Sequence, residues 1–316
     1  MQHASPFGFA TLTLGAALLG APALAAPVFT DGFGDGDRDN DGTADGPVQD
    51  ASDVGVPFYI GNGSNSNNSP AVSVVDDSAG IGSGNALSVS GNGNSSARRM
   101  LAGFDTVTLS NPGDFITLSF DARYNGTAPT TDRRFRLGLY NQGALLTDED
   151  FDGNSTNNTL SDDVGYYFQF DTGAASGTVA DARIEFNTDG SPLGGSASSG
   201  DSESFGFGTD DALAALTNVA KNYEITITYV TATDANISLS VNGTELANRN
   251  LSEGGDATDV VSTYDFNGFM FGQNGAELSY LLDNVVIESN TVVPEPGTMS
   301  LVGLAGLTLL HRRRGA

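Results

Sequence analysis

The chain has 316 residues, of which 39% are hydrophobic and 16% charged, with 41 glycines and neither cysteine nor tryptophan. Its formal charge of -26 at pH 7 sets it against nucleic acid and anionic lipid, which repel such a surface. The apolar content excludes wholesale disorder, the lack of cysteine excludes a disulfide framework, and the wealth of Gly, Asn, Ser, Thr and Asp favours strands joined by turns over helices.

The chain opens MQHASPFGFATLTLGAALLGAPALAAPVF. Phe7 to Leu19 is mostly apolar, and APALA follows with small residues at Ala23 and Ala25, the pattern of a signal peptide with an A-x-A cleavage site. Cutting after Ala25 keeps Pro27 away from the position next to the cut, although His3 stands where a lysine or arginine is usual. Residues 1–25 therefore read as a signal peptide, with a buried N-terminal helix as the alternative.

Residues 26–53 read as a lead-in containing DGDRDNDGTADG. Asp37, Asp39, Asp41 and Asp45 take positions 1, 3, 5 and 9 of a D-x-D-x-D-G-x-x-D loop, Gly42 takes the sharp turn at position 6, and Thr43 offers a backbone carbonyl. Hard carboxylate oxygens at alternate positions suit Ca²⁺, and without a cation the aspartates would repel one another. The segment resembles the Asp-rich calcium loops of thrombospondin type-3 and dockerin repeats. It departs from the EF-hand at position 12, where Val48 replaces the bidentate Glu. An acidic, solvated turn is the alternative.

From residue 54 to 290 the chain reads as one body. Short strands are expected near Pro57–Ile60, Ala71–Val75 and Ala86–Ser90, followed by clear period-two alternation. DFITLSFDARY places Ile116, Leu118, Phe120 and Ala122 on one face and Thr117, Ser119, Asp121 and Arg123 on the other. RRFRLGLY turns Phe135, Leu137 and Leu139 inward and Arg134 and Arg136 outward; GYYFQFD and ARIEFN continue the series. YEITITYV sets Tyr223, Ile225, Ile227 and Tyr229 against Glu224, Thr226 and Thr228, and NISLSVNGTEL carries a hairpin signal at Asn242-Gly243. FNGFMFG and YLLDNVVIE close a set of about eleven strands. One short helix is expected from a cap at Thr209 or Asp210 to about Asn222, with Leu213, Leu216 and Ala220 on one side. One-sided strands between turns predict an all-β antiparallel sandwich. With its terminal LLDNVVIE and its early DDSAGIGSGNALSVSG, the body resembles a concanavalin-A-like jelly roll of the laminin-G-like or lectin/glucanase type.

Residues 291–316 end the chain with VVPEPGTMSLVGLAGLTLLHRRRGA. A dozen helical residues from Ser300 span about 18 Å, short of a hydrocarbon core of about 30 Å, so the run is a marginal transmembrane helix. Arg312, Arg313 and Arg314 hold its far end on the cytoplasmic side. Pro294 and Pro296 keep the preceding segment extended and open to a protease. VPEP, an apolar helix and RRR, in that order, resemble the PEP-CTERM sorting signal of exported bacterial proteins. The resemblance implies that Val293, Pro294, Glu295, Pro296, Arg312, Arg313 and Arg314 form a sorting motif for an exosortase-type membrane protease. It implies transient inner-membrane insertion, then a place at the cell surface or in the extracellular matrix of an exopolysaccharide-producing Gram-negative bacterium. A permanent short anchor is the alternative.

The chemistry of the body narrows by elimination. The two histidines, His3 and His311, lie in the removable ends, so Ser-His-Asp, Cys-His and His-ligated zinc schemes have no members left. No phosphate-binding or dinucleotide fingerprint occurs, nor the E-x-D-x-x-E of the glucanases that the fold resemblance brings to mind. A carboxylate-based glycoside hydrolase is the remaining enzymatic alternative. For a lectin-like carbohydrate-binding module the candidate platforms are Tyr124, Tyr140, Tyr167 and Tyr264, each of which has core or sheet face as its plainer role. Arg133, Arg134 and Arg136 read as a solvated strand face, or more sharply as a trap for acidic polysaccharide. The sequence therefore points to an exported, non-enzymatic jelly-roll protein, with glycan binding as the alternative.

Overall fold

A computed structural model of the chain describes residues 25–33, 59–61, 71–78, 80–81, 84–90, 98–125, 134–143, 164–171, 183–187, 205–206, 216–253, 263–274 and 279–291. Alternation becomes strand wherever one face has a core to enter. Phe115–Tyr124 (β6) buries every second residue, from Ile116 to Tyr124. Lys221–Thr231 (β11) and Asp234–Val241 (β12) do the same with Tyr223, Ile225 and Ile227, and with Ala235, Ile237, Leu239 and Val241. Asn242 (φ 51°) and Gly243 (φ 73°) form the tight hairpin into Thr244–Asn250 (β13), with Val241 opposite Thr244.

The remaining strands are Ala26–Asp31 (β1), Tyr59–Gly61 (β2), Ala71–Asp76 (β3), Asn85–Ser90 (β4), Arg98–Thr108 (β5), Arg134–Asn141 (β7), Val164–Asp171 (β8), Arg183–Asn187 (β9), Phe205–Gly206 (β10), Asp265–Asn274 (β14) and Ser279–Ser289 (β15). They form two antiparallel sheets: β13-β12-β11-β6-β15-β4-β3 with β1 alongside β15, and β10-β9-β8-β7-β14-β5-β2. The chain changes sheet repeatedly, as between β5 and β6 and between β14 and β15, which makes the fold an antiparallel jelly-roll β-sandwich.

The two inner faces share one core. Phe120 of the eight-stranded sheet stacks on Tyr223 with centroids 5.2 Å apart and meets Phe271 of the other sheet edge-on, also at 5.2 Å. Phe135 meets Tyr280 edge-on across the sheets at 5.0 Å. Each such pair adds about 0.5–1.5 kcal/mol beyond the area it buries. Burial raises the Tyr223 and Tyr280 phenols far above their ordinary range, so both stay neutral at any physiological pH.

Several expectations are corrected. Ala26–Asp31 is not lead-in but a strand of the larger sheet, because Phe29 finds a place in the core against Phe269 at 5.0 Å. β5 escapes the sequence reading because Leu101 and Ala102, on opposite faces, are both buried, which erases its alternation. Residues 216–220 have no helical turn, and Lys221 and Asn222 already belong to β11, where pairing with Ala122 and Asp121 outweighs any helical tendency. The rest of the expected helix, from Thr209, lies outside the described residues.

Candidate functional site

The functional residues that can be built from the described chain lie along the seam between the first and last strands. β15 is an interior strand. β6 flanks one side along its length, and the other side is shared by β4, against Ser279–Leu282, and β1, against Val285–Ser289. Among the described residues β1 pairs with β15 alone, an edge position in which Pro27, with no N–H to give, is tolerated.

At one end of the seam the chain termini of the sandwich meet. Ala26 stands opposite Ser289 and Pro27 opposite Glu288. The Asn290 side chain clamps the start of β6: its Oδ1 accepts the Phe115 N–H at 2.8 Å and its Nδ2 donates to the Gly113 carbonyl at 3.0 Å. Ser289 Oγ donates to the Phe115 carbonyl at 2.7 Å and accepts the Thr291 N–H at 3.1 Å. Beside them, the turn before β6 is closed by Asp114, which accepts the N–H groups of Ser110 and Asn111 at 2.9 and 2.8 Å. Burial works to raise the Asp114 carboxyl, but these N–H groups outweigh it and hold it below its ordinary value.

Farther along the seam lies a polar node. Asn284 (φ 51°) is the bulged residue of β15; its N–H donates to Asp283 Oδ1 at 2.7 Å and its Nδ2 to Asp121 Oδ2 at 2.8 Å. Asn222 Nδ2 donates to the other Asp121 oxygen at 3.0 Å. Arg123 Nε donates to Asp77 Oδ2 at 2.9 Å, its Nη2 takes the other oxygen, and the Ile81 N–H adds a bond to Oδ2 at 3.0 Å. Asp31 accepts the Phe33 N–H at 2.7 Å, and Phe33, with φ 50°, is fully buried. Asp283 is buried, and its carboxyl is raised first by that burial and then by the charges of Asp121 and Asp77, against the Asn284 N–H. Among the described residues no group of three or more His, Asp or Glu is disposed to hold a metal ion.

The residues singled out in the sequence fall unevenly on this frame. Asp37, Asp39, Asp41, Thr43 and Asp45, and all seven residues of the sorting motif, lie outside the described residues. Of the aromatic platforms, Tyr124 and Tyr140 are buried, the half-buried Tyr264 donates its hydroxyl to carbonyls of Thr231 and Asp234, both at 2.6 Å, and the side chain of Tyr167 lies outside the described ones. Arg136 is 5% exposed, so it is not a solvated face residue. It stands on the outer side of the seven-stranded sheet beside Tyr140, whose ring lies so close over Gly138 that a Cβ there would come within 2.8 Å of the phenol oxygen. Gly165, opposite Tyr140 on β8, leaves room for the same ring. Gln142 lies equally close over Gly268, and its buried Nε2 finds no acceptor among the described residues. The signal for this second packed face was present in the glycines of RLGLY, VGYYF and FNGFMFG.

No protein-family model and no curated protein matches the chain. Solved structures similar to it include the globular domain of T. cruzi calreticulin (10% identity, TM-score 0.44, 83% of this chain and 88% of that one). Others are the cellulose-induced protein Cip1 (14%, 0.43, 82% and 96%) and the carbohydrate recognition domain of Emp47p (13%, 0.39, 71% and 88%). At such identities and TM-scores neither a ligand nor an activity is transferred.

Proposed function

We propose that this is an exported, non-enzymatic jelly-roll protein, delivered by its N-terminal signal and processed at its C-terminal sorting tail, that acts at the cell surface or in the extracellular matrix. One observation carries the reading. The sandwich takes up its first strand at Ala26, directly after the expected cleavage site at Ala25, and completes its last strand at Ser289, four residues before Val293. The described strands thus begin and end between the two addresses. The test is mass spectrometry of the protein from native cells: a mature N-terminus at Ala26 and loss of the chain beyond the 293–296 motif are expected, and an intact C-terminus at Ala316 refutes the processing.

A second reading, polysaccharide binding, is supported by one surface. The outer face of the eight-stranded sheet carries a row of hydroxyls and amides in register, Asn248, Ser238, Thr226 and Thr117, with Thr117 and Thr226 hydrogen-bonded at 2.8 Å. A flat polar row meets an extended polymer by hydrogen bonds instead of by stacking. Retention on a matrix of the cell's own exopolysaccharide, lost when Ser238 and Thr226 are replaced by Glu, tests it.

A further inference from the structure

We propose that β3 is the edge through which two copies of this chain join, antiparallel and centred on Ser73, so that their larger sheets run on as one.

Among the described residues five strands keep one side unpaired along their length: β1, β2, β3, β10 and β13. Four of them carry devices that stop an open edge from capturing another strand. β2 has three residues and β10 two. β1 contains Pro27 and breaks register before Phe29. β13 carries Glu245 and Arg249, and its Leu246 bulges between the pairs Ser240–Glu245 and Leu239–Ala247. β3 has none of these from Ala71 to Val75. It runs in unbroken register along β4, from Ala71 opposite Ser90 to Asp76 opposite Asn85, and its valines suit an extended backbone.

The two faces of β3 fix how a second copy fits. Val72 is buried opposite Val89, Val74 packs partly against the core opposite Leu87, and Ser73 between them is exposed on the outer side. A two-fold axis perpendicular to the sheet keeps both cores on one side only if residues of the same face meet. With the axis at Ser73, Val72 meets the partner's Val74 and Ala71 meets the partner's Val75. Moving the axis to Val74 sets Val72 against the partner's Asp76 and presses a carboxylate onto apolar side chains. In the Ser73 register Asp76 stays beyond the paired residues, where it accepts the Ser78 N–H at 3.0 Å. No like charges then stand opposite each other, although the whole chain carries -26. Five residues a side make a small interface, of the transient class below about 1,200 Å², so the pairing depends on concentration. Repulsion between two acidic bodies opposes it, so salt strengthens it.

The chain has no cysteine, so Ser73→Cys gives a probe without background. Opposed Cα atoms of an antiparallel pair are about 4.5–5.5 Å apart, within the span of about 4.4–6.8 Å that a disulfide bridges. Mild oxidation of the full chain is expected to link Ser73→Cys into dimers about tenfold faster than Glu245→Cys, which lies on the guarded edge. Sedimentation of the unaltered chain should show a monomer–dimer equilibrium that moves toward dimer with concentration and with salt. Ser73→Lys, a change at an exposed position, sets two cations against each other on the axis and is expected to stay monomeric with an unchanged melting temperature. Equal cross-linking of the two cysteine variants overturns the proposal. So does a Ser73→Lys protein that dimerises like the original, or an unaltered chain that is monomeric at every concentration.

Discussion

Arg123 grips Asp77 through both carboxylate oxygens across the seam of the larger sheet, and Asp77 is buried. The pair neutralises a carboxylate that would otherwise face Asp283 in a poorly solvated place. Removing the arginine leaves the Asp77 carboxylate with the Ile81 N–H at 3.0 Å in place of a cation. Arg123→Ala is therefore expected to cost about 3 kcal/mol, because an unpaired buried charge remains. Asp77→Ala in the Arg123→Ala background should add less than it costs alone. Urea unfolding of the four proteins measures this, and a loss below about 1 kcal/mol for Arg123→Ala contradicts it.

The second prediction concerns the outer side of the smaller sheet. Gly138→Ala forces a methyl into the Tyr140 ring and is expected to destabilise by about 1–3 kcal/mol. Trimming Tyr140 to Ala should recover part of that loss, so the two changes together cost less than their sum. Additive losses in a thermal-melt cycle would mean that the ring does not rest on the glycine.

Asp283 gives a pH dependence. Its folded carboxyl is raised above the unfolded value by burial and by Asp121 and Asp77, so the folded state binds the proton more tightly. Stability from this group is then present in acid and lost as pH rises through the folded value. Asp283→Asn, which keeps the Oδ1 acceptor for the Asn284 N–H, is expected to raise the melting temperature at pH 7 and to have little effect in acid. A lower melting temperature at pH 7 runs against this.

The Asp-rich segment gives a fourth. Phe33 is locked into the core with its N–H on Asp31, four residues ahead of Asp37, so calcium held by Asp37, Asp39, Asp41, Thr43 and Asp45 would be coupled to folding. At a hundredfold excess over its dissociation constant, the ion stabilises by about 2.7 kcal/mol. EDTA should lower the melting temperature by several degrees, and Asp39→Asn with Asp41→Asn should abolish the difference. Identical melts with and without EDTA rule the loop out as a stabilising site.

The strands legible in the sequence are those with one wet and one dry face. β6, β11 and β12 alternate because their outward residues, such as Thr117, Thr226 and Ser238, meet water. β5 lost the pattern because Leu101 and Ala102 are packed on both its faces, whereas β7 kept it in Phe135, Leu137 and Leu139, and only Arg136 was misplaced, because its outward position lies on a covered face. The seam site was only half legible. LLDNVVIE announced a strand, but nothing in it tells that Asp283 will be buried beside Asp121 or that Asn284 will bulge.

By itself the sequence determined the sandwich class and the Asn242-Gly243 hairpin, because period-two alternation and turn conformation are properties of neighbouring residues. Tertiary structure alone decided that Ala26 lies against Ser289, that Tyr140 lies over Gly138 and that Arg123 meets Asp77. Those partners are far apart along the chain or depend on how the sheet is covered. They are chosen by which arrangement of two whole sheets buries the shared aromatic core, and local pattern carries no record of that choice.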